Sequence, residues 1–314
     1  MLGEVKKPSA YWKLVNKATS RIVHKKSIGP LRRNDGSLAL IDKEKAQLMN
    51  SYFATIGENL INTLPTIIYN CNSQMEDTNH DDPPVLSTTR LSPIVISNRA
   101  VLEKINKLKT TKATGPDEIS PKLLKLAGNT LVPALVDMYN YSIARSVVFS
   151  PWKTARLSPV FKKDDETDCG NYRPVSLLSV PSKILEAEIN DRLVQHVFKD
   201  NQLITDKQWA YRRGYSTELL LVHLTEIWRM AVDSDNVVAV AFVDFKKAFD
   251  SVSHEILLRK LDKNFGITGG LLEWIKSYLS ERMQFTELHG FATCYSWYTT
   301  RIGTGSDPVH SIYQ

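Results

Sequence analysis

The sequence has few cysteines and no long apolar run, and each absence excludes a class of protein. Its three cysteines, Cys71, Cys169 and Cys294, are far apart and form no C-x-x-C pair or cluster with histidine. Neither a disulfide framework nor a zinc site is therefore supported, and a reducing, intracellular setting (cytoplasm or nucleus) fits best. No apolar run approaches the roughly 20 residues that span a bilayer, and the N-terminus lacks the apolar stretch of a signal peptide, so we expect no membrane role.

Length and composition describe an ordinary globular protein with a basic surplus. A chain of 314 residues has room for about two domains. Its hydrophobic fraction of 42% and charged fraction of 24% allow a sizeable core. A net charge of +6 and a pI near 9.0 favour a polyanionic partner without establishing one. The sequence has no internal repeat, no Gly-rich phosphate loop and no Ser-His-Asp grouping with useful spacing.

The N-terminal part of the chain is basic and mostly helical by pattern. Within residues 1–64, Arg32 to Gly36 predicts a turn and Asp42 opens a predicted helix. The basic residues there are explained by a solvated helix face or by contact with nucleic acid, and the solvated face is the more usual. Residues 65–92 are acidic, contain prolines and have little apolar content, which indicates a disordered linker.

Beyond residue 92, helical patterns alternate with a few short strand patterns, which predicts an α+β fold. Two strand-like runs, Trp152 to Lys163 and Asn171 to Ser179, flank an acidic turn and predict a β-hairpin. A further strand is predicted at Arg282 to Leu288. Helices are predicted from Ser97, from Pro116 or Asp117, over Leu131 to Val148, from Pro181, from about Ser216 through Ala231, around Ile256 to Leu261, and over Leu271 to Leu279.

The most informative stretch is Asn236 to His254, which reads NVVAVAFVDFKKAFDSVSH. Its apolar run, Val237 to Val243, is rich in β-branched residues and predicts a buried strand that ends at Asp244. A carboxylate at that position is costly to desolvate unless it is paired or binds a metal ion. On composition alone, Asp244 is equally well explained as the cap of the following turn, and Asp250 as the cap of the next helix.

Asp244 is the leading candidate for a metal ligand. Magnesium takes oxygen ligands, usually one or two carboxylates with substrate phosphates, and the backbone carbonyl of Phe245 is an additional candidate. Nucleotidyl transfer needs two such metals roughly 3.5–4 Å apart. Lys162, Lys163 and Arg173 have the charge and hydrogen-bond donors to bind a triphosphate, although isolated basic residues are more often plain surface.

A basic, aromatic loop runs from Gln208 to Thr217 and reads QWAYRRGYST. Aromatic and basic side chains alternate there, as they do on surfaces that stack the bases of single strands. An aromatic loop at the edge of the core is an open alternative. Single histidines such as His223 and His254 are expected to pack rather than to bind metal. The candidate stacking residues are Trp209, Tyr211, Arg212, Arg213 and Tyr215.

Five segments occur in an order that is typical of one family. They read KATGPDEIS, WKTARLSPVFKK, NYRPVSLLS followed by SKILE, QWAYRRGYST, and FVDFKKAFDSVSHEILLRKL. The series resembles the reverse transcriptase of non-LTR (LINE-type) retrotransposons, close to the jockey and chicken-repeat-one branches. The resemblance covers roughly Tyr11 to Gly290. The ordered series is highly specific, whereas a lone K-A-F-D would be a weak signal.

The resemblance implies an RNA-directed DNA polymerase that uses Mg²⁺, deoxynucleoside triphosphates, an RNA template and a DNA primer. Asp244 matches the first metal-binding aspartate of the palm, and Phe249 matches the bulky residue that senses the sugar 2′-hydroxyl. Lys162, Lys163 and Arg173 lie in finger segments that contact the triphosphate. The segment near template and primer implies nucleic-acid contacts at Gln208, Tyr211, Arg212, Arg213, Tyr215 and Ser216.

The resemblance also implies a right-hand polymerase with fingers and an incomplete palm, preceded by a mostly helical linker region. The family's endonuclease would precede this chain. Residues 301–314 (RIGTGSDPVHSIYQ) match the family's G-V-P-Q-G-S-x-L-G-P segment only in a distorted form. The A-D-D strand and the thumb have no counterpart in the sequence. We therefore expect either a polymerase fragment that is inactive alone, or a catalytically dead binding remnant or pseudogene product, with oligomeric state left open. The implied regions are 1–64 (basic helical linker region), 65–92 (disordered linker), 93–235 (fingers and fingers–palm), 236–300 (partial palm) and 301–314 (aberrant tail).

Overall fold

The computed structural model describes residues 27–62, 89–91, 93–201, 203, 205, 207–245, 248, 252–289, 291–292 and 296–297. They form a mixture of helices and sheet, which confirms the α+β prediction. No helix among them is both long and apolar enough to cross a membrane. The predictions for residues 1–26, nearly all of 65–92 and the tail at 301–314 lie outside the described residues.

The secondary structure follows the predicted order over most of these residues. The helices are α1 Asp42–Asn62, α2 Asn98–Lys107, α3 Pro121–Ala144, α4 Val180–Val194, α5 Thr217–Asp233, α6 His254–Lys263 and α7 Gly269–Leu279, with a π-helical turn at Gln195–Asp200 and 3₁₀ turns at Ser150–Lys153 and Cys169–Asn171. The strands are β1 Leu31–Arg32, β2 Leu38–Ala39, β3 Thr154–Phe161, β4 Tyr172–Leu177, β5 Met283–Leu288, β6 Phe291–Ala292 and β7 Ser296–Trp297.

β3 lies at the centre of the larger sheet. β4 pairs with it antiparallel, from Arg156 opposite Leu177 to Phe161 opposite Tyr172, so the predicted hairpin is confirmed. β5 runs parallel to β3 on the other side, and β6 and β7 both pair antiparallel with β5. A parallel pair requires a long crossover connection, and the chain between β4 and β5, which includes α4 to α7, provides it.

Serine hydroxyls determine where several helices begin. The side chains of Ser97, Ser120, Ser179, Ser216 and Ser253 each accept a hydrogen bond from a backbone amide three residues later. Each bond satisfies one of the amides that the first helical turn leaves without a partner. The starts predicted near Ser97, Pro181 and Ser216 are confirmed for this reason.

The helix predicted from Pro116 or Asp117 begins later, at Pro121. Gly115 to Glu118 forms a turn closed by a 3.2 Å hydrogen bond from the Glu118 amide, so the first cap available is Ser120. α3 also joins two predicted helices through a kink at Gly128, whose φ is 48° and ψ −130°. Pro133 explains the kink, because it has no amide hydrogen and its ring displaces the carbonyl four residues earlier.

Two hydrophobic clusters hold the described elements together. The larger one packs α2, α3, α4 and α7 around buried residues such as Ile105, Tyr139, Leu185 and Trp274. The smaller one lies between α1 and the inner face of the sheet and includes Leu31, Met49, Phe53, Leu157 and Leu178. This cluster packs α1 on the sheet, where its closest neighbour is β5.

Residues 27–41 form a two-stranded hairpin, which the helical prediction for the N-terminal region missed. Leu31 pairs with Ala39 and Arg32 with Leu38 around a turn in which Gly36 has a φ of +84°. A positive φ costs glycine nothing, and the predicted turn is confirmed. The helix predicted from Asp42 is also confirmed, and it packs on the sheet.

The predicted buried strand at Val237 to Val243 is wrong for this structure. Val237, Phe242 and Val243 are 96%, 89% and 81% exposed, and the segment pairs with no strand among the described residues. A strand is maintained by hydrogen bonds to a neighbouring strand, and this segment pairs with none of β3, β4 and β5. None of the described side chains of α5 is buried either, which corrects the predicted burial of Leu219, Leu220, Val222, Leu224 and Ile227.

Cys169 provides a test of the smaller cluster, since burial raises the pKa of its thiol to about 11 and the Asp168 carboxylate acts in the same direction. Only the thiolate reacts, so modification by a thiol reagent near pH 8 should be about 100-fold slower in the folded protein than in urea. The measurement uses the double variant Cys71→Ser/Cys294→Ser, in which Cys169 is the only cysteine that can be modified. Equal rates in buffer and in urea would contradict the burial.

Candidate functional site

The β3–β4 hairpin brings three predicted phosphate-binding residues to one end of the sheet. Arg173 lies opposite Val160, and the Lys162 amide continues the register by donating to the Asn171 carbonyl at 2.8 Å. Side chains alternate along a strand, so Lys162 and Arg173 lie on the same face and Lys163 on the other. All three residues are exposed, and the Lys163 ammonium lies 3.8 Å from the Asp164 carboxylate.

The turn of this hairpin is acidic and is held by many internal hydrogen bonds. One Asp165 carboxylate oxygen accepts from both the amide and the hydroxyl of Thr167 at 2.8 Å, and these bonds lower the pKa of Asp165. Asp168 accepts from the Gly170 amide at 2.7 Å. Arg32 reaches the turn from β1, donating to the second Asp165 oxygen at 3.2 Å and to the Thr167 hydroxyl at 3.1 Å. This contact of Arg32 was not predicted from the sequence, because no local pattern relates residues so far apart.

Arg156 is a second residue that the sequence analysis missed. It lies on the sheet face opposite the smaller cluster, where its guanidinium contacts Glu287 at 3.1 Å and donates to the Thr114 carbonyl at 3.0 Å. The Thr114 loop is the KATGPD segment, and Ser179 donates to Asp117 in the same loop at 2.6 Å. A signal was present, since Arg156 stands between two apolar strand residues and must face away from their core.

The loop from Gln208 to Ser216 is largely occupied by its own contacts. The Arg212 guanidinium lies 4.3 Å from the Tyr215 ring centroid and 5.6 Å from that of Phe198. Trp209 stacks on His223 with centroids 5.4 Å apart, and Ser216 caps α5. The stacking partners are therefore protein side chains, which agrees with the alternative of a core-edge loop. Gln208 bonds the Ala210 carbonyl at 3.1 Å, while Tyr211 and Arg213 present exposed side chains.

Asp244 and Phe245 lie in the exposed segment after α5. Phe249 and Asp250 are outside the described residues, so the nucleotide-gate prediction for Phe249 has no structural counterpart here. Within the described part of the chain, no hydrogen bond or ion pair joins Asp244 to Lys162, Lys163 or Arg173. No group of three or more His, Cys, Asp or Glu residues is placed to hold a metal ion in that part either. The hairpin thus brings the cations together, and none of them forms a hydrogen bond or ion pair with Asp244 among the described residues.

The ligand atoms at Asp244 are of the type that magnesium prefers, but they are too few for the two-metal mechanism. A carboxylate and a backbone carbonyl are the hard oxygen ligands that Mg²⁺ prefers. Two metals bridging one reaction centre require more carboxylate ligands than the described residues assemble. No catalytic step through a metal ion can therefore be derived from these residues.

Comparison with known proteins identifies the family. Residues 160–311 match the reverse transcriptase (RNA-dependent DNA polymerase) family, beginning within β3 and extending past β7. The chain is 27% identical over 256 residues to a probable RNA-directed DNA polymerase from transposon BS of Drosophila melanogaster, covering 81% of this chain and 27% of that protein. It is 28% identical over 212 residues to the RNA-directed DNA polymerase from the mobile element jockey of the same organism, covering 67% of this chain and 22% of that protein.

The similarity extends beyond these two relatives. A retrovirus-related Pol polyprotein from the type-1 retrotransposable element R1 of Bradysia coprophila is 27% identical over 170 residues, which cover 52% of this chain and 16% of that protein. The chain spans about a quarter or less of the length of the curated relatives it matches. The family resemblance noted in the sequence is confirmed. By homology, residues 160–311 are a reverse transcriptase domain, and the relatives that extend the match are those of non-LTR (LINE-type) retrotransposons.

Proposed function

We propose that this chain is the part of an RNA-directed DNA polymerase that contacts the incoming nucleotide and the primed RNA template. The observation that carries the proposal is the position of the family match, which starts within β3 and includes the exposed cations Lys162, Lys163 and Arg173. Exposed cations gathered at one hairpin end suit phosphate groups, which they bind by charge and, for arginine, by paired hydrogen bonds.

The proposal assigns roles to the remaining segments. Residues 93–235 are fingers and fingers–palm, and 236–300 are part of the palm, with Asp244 and the Phe245 carbonyl as ligands that would hold Mg²⁺ in part. Phe249 is proposed to sense the sugar. Tyr211 and Arg213 are exposed and are proposed to contact a nucleic-acid strand, whereas Arg212 and Tyr215, which pack on each other, would act by shaping the loop.

Binding to an RNA template annealed to a DNA primer tests the role of the hairpin. Affinity should fall about 20- to 40-fold between roughly 50 and 200 mM salt if about three phosphates are contacted. Lys162→Ala/Lys163→Ala/Arg173→Ala should remove most of this salt dependence. The matched control is Lys107→Ala/Lys122→Ala/Lys260→Ala, which removes the same charge from exposed positions on α2, α3 and α6. Equal losses in both triple variants would show that net charge, not the hairpin, governs binding.

Primer extension tests the proposed catalytic assignment. With primed RNA, Mg²⁺ and deoxynucleoside triphosphates, we expect no extension by the 314-residue chain, because its described residues assemble too few metal ligands. Asp244→Ala should leave that null result unchanged and should retain the wild-type binding affinity. Extension that disappears in Asp244→Ala would overturn the expectation of inactivity.

A further inference from the structure

The β3–β4 turn has a charge balance that opposes the role proposed for it. Between Lys162 and Arg173, the four carboxylates of Asp164, Asp165, Glu166 and Asp168 exceed the three cations. A surplus of negative charge beside phosphate groups raises the free energy of binding. Something outside the hairpin must therefore compensate if this end is to receive a polyanion.

Arg32 is placed to supply that compensation. It lies 133 residues earlier in the chain, and its guanidinium pairs with Asp165 at 3.2 Å and donates to Thr167 at 3.1 Å. Its backbone amide also donates to the Thr167 carbonyl at 2.8 Å, which fixes β1 against the turn. One added positive charge brings the hairpin end from a net negative charge to neutrality.

The same contacts determine which way the turn carboxylates face. Asp165 is held from both of its oxygens, by Thr167 on one and by Arg32 on the other. Tyr172 donates to the Glu166 carbonyl at 2.7 Å, and Asn171 donates to the Asp165 carbonyl at 3.0 Å. The backbone of the turn is thus anchored at several points, and Arg32 adds an ion pair from outside the hairpin.

We propose that Arg32 is a positioning residue of the phosphate-binding hairpin, which neutralises Asp165 and holds the acidic turn away from the bound nucleic acid. The proposal rests on the proposed function of Lys162, Lys163 and Arg173. It extends the site to the β1–β2 hairpin, which precedes the residues that match the family.

Binding of the full chain to primed RNA at low salt tests the proposal through a double-mutant cycle. Arg32→Gln should weaken binding about 3- to 5-fold, the range of an exposed ion pair, since it leaves Asp165 uncompensated. Asp165→Asn alone should bind at least as tightly as the wild type, because it leaves the hairpin end with a net positive charge. Arg32→Gln/Asp165→Asn should recover wild-type affinity to within about twofold, because the repulsive carboxylate is gone.

The matched control is Arg33→Gln, at the next position. Arg33 contacts Ser37 at 3.0 Å, the Leu38 carbonyl at 3.1 Å and Glu44 at 2.8 Å, all within the N-terminal segment. The Arg33→Gln variant should therefore bind primed RNA like the wild type, although it loses the same charge as Arg32→Gln. Equal weakening by Arg33→Gln and Arg32→Gln would overturn the inference while leaving the proposed function standing.

Two further results distinguish failure of the role proposed for Arg32 from failure of the proposed function. Weakened binding in Arg32→Gln that Asp165→Asn does not rescue would overturn the neutralising role, since a purely structural loss or a direct phosphate contact predicts no rescue. Wild-type affinity in Lys162→Ala/Lys163→Ala/Arg173→Ala would overturn the proposed function, and with it the inference. The triple variant and the double-mutant cycle therefore fail in distinguishable ways.

Discussion

Replacing Gly115 with alanine is expected to lower the free energy of unfolding by about 3 kcal/mol. A Cβ at this position would lie 2.5 Å from the carbonyl carbon and oxygen of Leu178 and from the amide nitrogen of Ser179. All three are backbone atoms at the junction of β4 and α4, so no side-chain rotation relieves the overlap. The KATGPD loop would have to move away from the sheet.

The displacement would also break contacts that anchor the loop. Ser179 donates to Asp117 at 2.6 Å, and Arg156 donates to the Thr114 carbonyl at 3.0 Å, and neither bond tolerates a shift of the loop. Urea unfolding monitored by circular dichroism measures the change. Gly29→Ala is the control, since nothing lies within 4 Å of its Cβ position, and its effect should stay within about 0.5 kcal/mol. An unchanged midpoint in Gly115→Ala would contradict the close packing.

Leu157→Ala is expected to cost about 3 to 4 kcal/mol of stability. Leu157 is fully buried on the central strand β3 and packs in the smaller cluster with residues from α1 and β1. Removing its isopropyl group takes away buried apolar surface and leaves a cavity that two hydrogen-bonded neighbouring strands cannot collapse into.

The control for Leu157 lies on the same strand. Val160→Ala removes two methyl groups from a side chain that is 49% exposed on the opposite face, so it should cost less than about 1 kcal/mol. Urea unfolding of both variants gives the comparison. Similar losses of stability in Leu157→Ala and Val160→Ala would contradict the assignment of a buried and an exposed face to β3.

The two variants also differ in what they predict for binding. Leu157→Ala should leave the affinity for primed RNA unchanged under conditions where the protein stays folded, because its side chain faces away from Lys162 and Arg173. Gly115→Ala should disturb the Arg156 contact on the face that carries those cations. Leu157→Ala should thus change stability without changing affinity, whereas Gly115→Ala should affect both.

Local sequence signals were sufficient for many elements of the fold. The helix starts predicted from Ser97, Pro181 and about Ser216 and the strands predicted on either side of the acidic turn were correct, because each depends on residues only a few positions apart. The ordered series of five segments was sufficient for the family, which the match at residues 160–311 confirms. The grouping of Lys162, Lys163 and Arg173 followed from the hairpin alone.

The tertiary structure decided what depends on distant partners. An apolar run such as Val237 to Val243 becomes a strand only where another strand offers its backbone, and the described residues pair their strands elsewhere. The ion pair of Arg32 with Asp165 joins segments 133 residues apart, and the close approach of Gly115 to Leu178 joins a loop to a strand end. Such contacts arise from packing in three dimensions, and no local period or spacing in the sequence encodes them.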